Sequence, residues 1–197
     1  MGTNGTAATD SPRWAGVHHL ALVTDDMDST VRFYHGVLGA DLVATIGSDA
    51  FRHYFFRFGD GQTVAFFEYR GQPVDHFAKP AGIPDERASQ FDHLSLGLAD
   101  EAALEDLRQR LAAHDCEVTE VVDHDIMRSI YFTDPNGIAL EASWWTLDAT
   151  AGAPDHSNER LFGDADPVPA VAEIAEGGLR STPDTHLVDE PTPAQAG

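Results

Sequence analysis

Apolar and polar residues alternate from Val17 to Val23, which predicts a strand with one buried face. Just beyond it, Asp26 or Asp28 can cap a helix, because a carboxylate accepts from the free N–H groups of a first turn. The apolar stripe of that helix is Val31, Tyr34, Val37 and Leu38. Three more strands are predicted at Leu42 to Ile46, Arg52 to Phe58 and Thr63 to Tyr69, with the turn former Gly59-Asp60-Gly61 between the last two. The pattern then repeats. FDHLSLGL reads as a strand, and Asp100 to about Ala113 as a helix with Leu104, Leu107 and Leu111 inward. Strands follow near Glu117 to Val122, Arg128 to Thr133 and Ile138 to Trp145. Two βαβββ modules, residues 15–71 and 90–146, therefore account for one α+β domain over 15–146.

Composition changes the picture at the two ends. Residues 147–197 hold ten acids against Arg160 and Arg180, a net −8, with six of the eleven prolines. Such a stretch has too little apolar surface to offset its ordering entropy, so this acidic, Pro-rich tail is expected to be mostly disordered or laid along the domain. Leu161, Phe162, Val168, Val171 and Ile174 are its apolar group available for docking. Residues 1–14 read as equally loose and disordered; MGTNGT fits the short myristoylation pattern, which reads as chance. A formal net charge of −21 repels phosphate backbones and anionic headgroups, which argues against nucleic acid and membrane surfaces as partners. There is no run long enough to span a bilayer and no apolar secretory core, and a lone Cys116 forbids an intrachain disulfide. A cytoplasmic protein is expected.

The repeat also aligns side chains that bind metals. His19 leads Leu20-Ala21-Leu22 as His93 leads Leu94-Ser95-Leu96, and Glu68 ends the last strand of module one as Glu141 ends that of module two. His19 to Glu68 is 49 residues and His93 to Glu141 is 48. A pseudo-twofold pairing of the modules would draw all four toward one centre. Two imidazoles with one or two carboxylates suit Fe(II), Zn(II), Ni(II) or Mn(II). A carboxylate such as Glu141, set among apolar strand neighbours, is costly unless something pairs with it, and a cation is one such partner.

Over residues 17 to 145 the chain resembles the vicinal oxygen chelate superfamily, which includes glyoxalase I, extradiol dioxygenases, and fosfomycin and bleomycin resistance proteins. The resemblance is carried by His19 with DDMDSTVRFYHGVLG, by His93 in FDHLSL, and by Glu141 in YFTDPNGIALE. It implies a cupped, strongly curved mixed sheet around a divalent metal, a substrate that chelates through vicinal oxygens, and a homodimer. The segment from Val122-Asp123-His124 through Tyr131 and Asp134-Pro135-Asn136-Gly137 to Glu141 looks like the extradiol motif. That likeness implies a metal set of His19, His93 and Glu141, Fe(II) above Zn(II), Ni(II) or Mn(II), and a catecholic substrate. It further implies that His124 and Tyr131 line the substrate pocket and that an upstream histidine acts as acid or base, for which His76 is the candidate. Two other readings stand beside it: a glyoxalase-like lyase or isomerase in which Glu68 is a fourth ligand, and a non-enzymatic antibiotic-binding protein.

Blander roles are available to each residue. His18 and His19 face opposite sides of a strand, and only the repeat selects His19. Glu68 in FFEY can be an ordinary solvent-facing residue, His76 a surface imidazole on a polar loop, and His124 and Tyr131 ordinary loop and strand residues. Asp134-Pro135-Asn136-Gly137 is first of all a β-turn, and His35, His53 and His114 read as surface or packing residues.

Overall fold

The computed structural model describes residues 15–77, 79–85 and 91–185; the N-terminal segment 1–14, with its myristoylation-like pattern, lies outside them. Two compact units divide the chain, 1–148 and 149–197.

In the first unit each module forms a four-stranded sheet of the same topology. Module one contains β1 (His19–Val23), α1 (Met27–Val31), β2 (Asp41–Gly47), β3 (Phe51–Gly59) and β4 (Gln62–Tyr69), ordered β1-β4-β3-β2 in its sheet. Module two contains β5 (Leu94–Gly97), α2 (Glu101–Ala113), β6 (Val122–Asp123), β7 (Met127–Thr133) and β8 (Ala139–Trp145), ordered β5-β8-β7-β6. The first and last strands of each module pair in parallel, and the remaining pairs are antiparallel. The fold is α+β, as the repeat indicates.

Local chemistry explains the helices. Asp26 caps α1 by accepting from the Ser29 N–H at 2.9 Å, and Asp100 caps α2 through the Ala103 N–H at 2.8 Å. Beyond α1 the chain widens into a π-type helix over Arg32–Val37, where the Leu38 N–H reaches back to the Phe33 carbonyl. Tyr34 is nonetheless fully buried, and Val31, Val37 and Leu38 pack against the same core.

The strand expected at Glu117 to Val122 is a correction. Only Val122–Asp123 pairs as a strand, with an isolated bridge between Val118 and Phe132. Asp115 adopts a left-handed φ of 57°, and the Tyr131 N–H bonds to the Thr119 side chain instead of a backbone carbonyl, which interrupts the ladder.

A single core joins the modules. Tyr34, Phe56 and Phe66 belong to the same buried cluster as Leu104, Leu111, Ile130 and Leu140. Each such side chain contributes on the order of 2 kcal/mol by leaving water. Asp134 and Asn136 of the Asp134–Gly137 turn enter this core, while Pro135 stays exposed. Asn136 is 7% exposed; it accepts from the Thr24 hydroxyl at 2.6 Å and donates to Thr30 Oγ1 at 3.2 Å, while Tyr34 donates to Asp134 at 3.2 Å. Burial raises the pKa of Asp134, against the hydrogen bonds it accepts from Asn136, Ile138 and Tyr34, and that of Tyr34 rises well above its ordinary value for the same reason.

The second unit is mostly exposed. Where composition leads to an expectation of disorder, the described part holds a helix, α3 (Pro169–Ala175), with proline in its first turn, and Arg180 pairs with Glu173 and Glu176.

Candidate metal centre

Alternation along the strands assigns the strand residues among the candidates to faces. In module one, Val64, Phe66 and Phe56 point into the core, so His19, Ala21, Thr63, Ala65 and Phe67 lie on the opposite, open face. His19 meets His53 and Phe55 there, at ring-centroid distances of 6.3 and 5.7 Å. Its neighbour His18 precedes β1, and the two Nδ1 atoms share a hydrogen bond of 2.8 Å. In module two, Leu140, Ala142 and Ile130 point into the core, which leaves Glu141, Ser95, Ser143 and Tyr131 on the open face.

Here side chains form a chain of contacts. His93 Nε2 lies 3.1 Å from Glu141 Oε2; Tyr131 donates to Glu141 Oε1 at 3.0 Å; and His124 Nε2 lies 2.7 Å from the Tyr131 hydroxyl. Since the tyrosine proton goes to the carboxylate, His124 Nε2 must be a donor, and the three groups form a directional relay from exposed histidine to buried acid. Glu141 is only 5% exposed. Burial pushes its pKa up, but the hydroxyls of Ser129, Ser95 and Tyr131 and then the His93 ring outweigh that, so the carboxyl lies below its ordinary value. Burial, followed by the hydrogen bond to Glu141 and its charge, pushes Tyr131 up to about 12.

The His93–Glu141 pair suits a cation. Two ligand atoms at right angles around a divalent ion, each about 2.1 Å away, stand roughly 3 Å apart. The other ring nitrogen, Nδ1, lies 2.5 Å from Asp92 Oδ1, and an ionised carboxylate only accepts. With a proton on Nδ1, a neutral His93 turns a lone pair toward Glu141. Two lone pairs facing each other at 3.1 Å require a cation, or a second ring proton, between them.

The remaining candidates are not drawn into this group. Among the described residues, no three His, Cys, Asp or Glu side chains surround a point fit for a metal ion. Glu68 is a correction: it lies on the core-facing side of its sheet, where it accepts from the Met27 N–H at 3.1 Å at the start of α1 and pairs with Arg52. The parallel registers give the reason. Ala21 is opposite Ala65 as Ser95 is opposite Glu141, so the counterpart of Glu141 is Ala65, and Glu68, an odd three residues later, points the other way. His76 also lies elsewhere. Its Nε2 is 2.6 Å from Asp25 Oδ1 and its Nδ1 2.9 Å from the Asn136 carbonyl, so it bridges the linker to both modules. Sequence reasoning missed Asp92, although an acid directly before a candidate ligand histidine was the available signal.

With this geometry in view, comparison with known proteins defines the class. The Glyoxalase/Bleomycin resistance protein/Dioxygenase superfamily matches residues 16–142, and the chain belongs to that family. Among curated proteins it is similar to the metallothiol transferase FosB of Staphylococcus epidermidis, 26% identical over 136 residues, which span 68% of this chain and 86% of that one. Among solved structures it is similar to a glyoxylase/bleomycin resistance protein/dioxygenase domain from Frankia sp. EAN1pec, with 26% identity, a TM-score of 0.58, and coverage of 67% of this chain and 98% of that one. A lactoylglutathione lyase from Agrobacterium tumefaciens, 23% identical, shares the fold with a TM-score of 0.50 over 67% of this chain and 95% of its own. No helix among the described residues is long and apolar enough to cross a membrane.

Proposed function

We propose that the protein is a metal-dependent enzyme whose centre is built on His93 and Glu141, with His19 of a second copy as third ligand, and that it opens catecholic rings. The observation that carries this reading is the His124–Tyr131–Glu141–His93 chain on one open face. A bound Fe(II), or Zn(II), Ni(II) or Mn(II) in its place, would polarise and charge-balance a substrate that chelates through two adjacent oxygens, and iron would also pass electrons to dioxygen. The protein's own part is to hold and move protons. Tyr131, with its pKa at about 12, stays protonated at neutral pH and offers a donor to substrate oxygen beside Glu141. His124 is exposed and donates to Tyr131, so it can pass a proton along the chain toward Glu141 and be re-protonated from solvent.

The same geometry supports a second copy. His19 lies on the open face of one sheet and His93 with Glu141 on that of the other, while the shared core occupies the reverse sides. One isologous contact between copies would place each His19 opposite the partner's carboxylate and complete two sites.

A metal-dependent thiol transfer is the second reading, favoured by the 26% identity to FosB over most of the domain. A glyoxalase-like centre loses its fourth ligand, since Glu68 faces α1. A drug-binding role without metal would need a second ring proton on His93 to account for its approach to Glu141.

Anaerobically purified protein reconstituted with Fe(II) and given a panel of catechols tests the proposal. Oxygen consumption with a yellow ring-opened product is the expected result. Thiol consumption with an electrophile and no oxygen uptake would select the second reading instead.

A further inference from the structure

Asp92 bonds in three directions. Its Oδ1 accepts from His93 Nδ1 at 2.5 Å and from the Gly82 N–H at 2.7 Å, and its Oδ2 receives Lys79 Nζ at 2.5 Å. Lys79 is largely buried, at 11% side-chain exposure, and also donates to the Pro80 carbonyl at 3.2 Å. Residues 92 and 93 precede β5, so strict strand alternation does not send their side chains to opposite faces. The same carboxylate therefore grips a candidate ligand and the inter-module linker. Lys79, Ala81 and Ile83 of that linker wall a cavity of about 640 Å³, whose other side is Tyr131, Ala139 and Leu140.

We propose that Asp92 is a positioning residue: it keeps the His93 proton on Nδ1, frees Nε2 for a cation, and clips the Lys79–Gly82 segment beside Tyr131 in the same act. This rests on the metal-centre reading above. Carboxylates that receive the distal N–H of a metal-bound imidazole fix its tautomer and ring orientation, and losing one typically weakens metal binding about 10- to 100-fold. Asp92 is placed for that role without touching substrate.

The experiment has two readouts, neither of them turnover. Side-chain nitrogen NMR of the metal-free wild type at a pH where His93 is neutral reads its tautomer, and Zn(II) competition with a chelating dye reads affinity for wild type, Asp92→Asn, Asp92→Glu and Lys79→Met. The expected tautomer carries its proton on Nδ1. Asp92→Asn should weaken Zn(II) by about 10- to 100-fold, Asp92→Glu should recover part of the loss, and Lys79→Met should stay near wild type. An Nε2–H tautomer in the wild type overturns the inference whether or not the variants fold. So does an unchanged affinity in Asp92→Asn, or a loss in Lys79→Met equal to it, which would make Asp92 a loop anchor alone. Failure of the wild type to bind Zn(II) sinks the metal-centre reading instead, and the tautomer still decides what Asp92 does.

Discussion

Tyr131 is placed where substituent chemistry has the most direct effect. Its hydroxyl receives from His124 and donates to Glu141, so Tyr131→Phe breaks the relay while keeping the ring. Loss of a positioned proton donor typically costs two to four orders of magnitude. On the ring-opening reading kcat should fall about a hundredfold or more in an oxygen-electrode assay, with Fe(II) content unchanged. Glu68→Gln is the contrasting case: because Glu68 serves the start of α1, the variant should retain the wild-type metal affinity in dye competition. These two glutamates also show what a sequence does and does not disclose. Glu141 was legible from its motif and from the cost of a carboxylate among apolar neighbours. The matching of Glu68 to it rested on counting residues, and a count that crosses a hairpin does not preserve which face a side chain takes. His93 was legible by repeat, whereas Asp92 was overlooked because its meaning depends on a loop that closes onto it from 10 and 13 positions upstream.

At the scale of elements, the linker between modules is held by an ionisable pin. Asp25 accepts from the Val74 N–H at 3.2 Å and from His76, whose other nitrogen faces the Asn136 carbonyl. Both partners are acceptors, and a neutral imidazole has one N–H, so only the imidazolium satisfies both. The Asn136 carbonyl, then Asp25, raises the His76 pKa, with Asp134 as a further nearby negative charge; Asp25 is correspondingly lowered, chiefly by His76. A raised folded-state value means that this contribution is complete below the ordinary histidine pKa near 6.5 and fades as pH rises through the elevated one. Amide hydrogen exchange at residues 74–77 should therefore quicken above neutrality beyond the intrinsic rate, and His76→Gln should abolish that extra pH dependence. The neighbouring turn is a second test. Asn136→Ala removes the buried hydrogen bonds that Asn136 makes with Thr24, Thr30 and Asp134, and urea unfolding should register a loss of about 3 kcal/mol. The DPNG spelling announced a turn but not its burial, because what it inserts into comes from residues a hundred positions away.

At the scale of the whole molecule, βαβββ periodicity was enough to read both helices of the domain and every strand but β6, since strand and helix periods are local properties. How the modules meet was not, because that depends on which faces find one another. The two-copy reading makes a mixing prediction. His19→Ala and Glu141→Ala chains are each expected to be inactive, but co-refolded they should regain about a quarter of wild-type activity, since half the dimers are mixed and each has one intact site. If all three ligands came from one chain, mixing would restore nothing.

The common core of Tyr34, Phe66, Leu104 and Leu140 joins the modules on the sides away from His19 and Glu141. A chain that separates from its twin on dilution would then stay folded while turnover stopped, and concentration alone would decide whether the molecule is a catalyst or an inert, intact monomer.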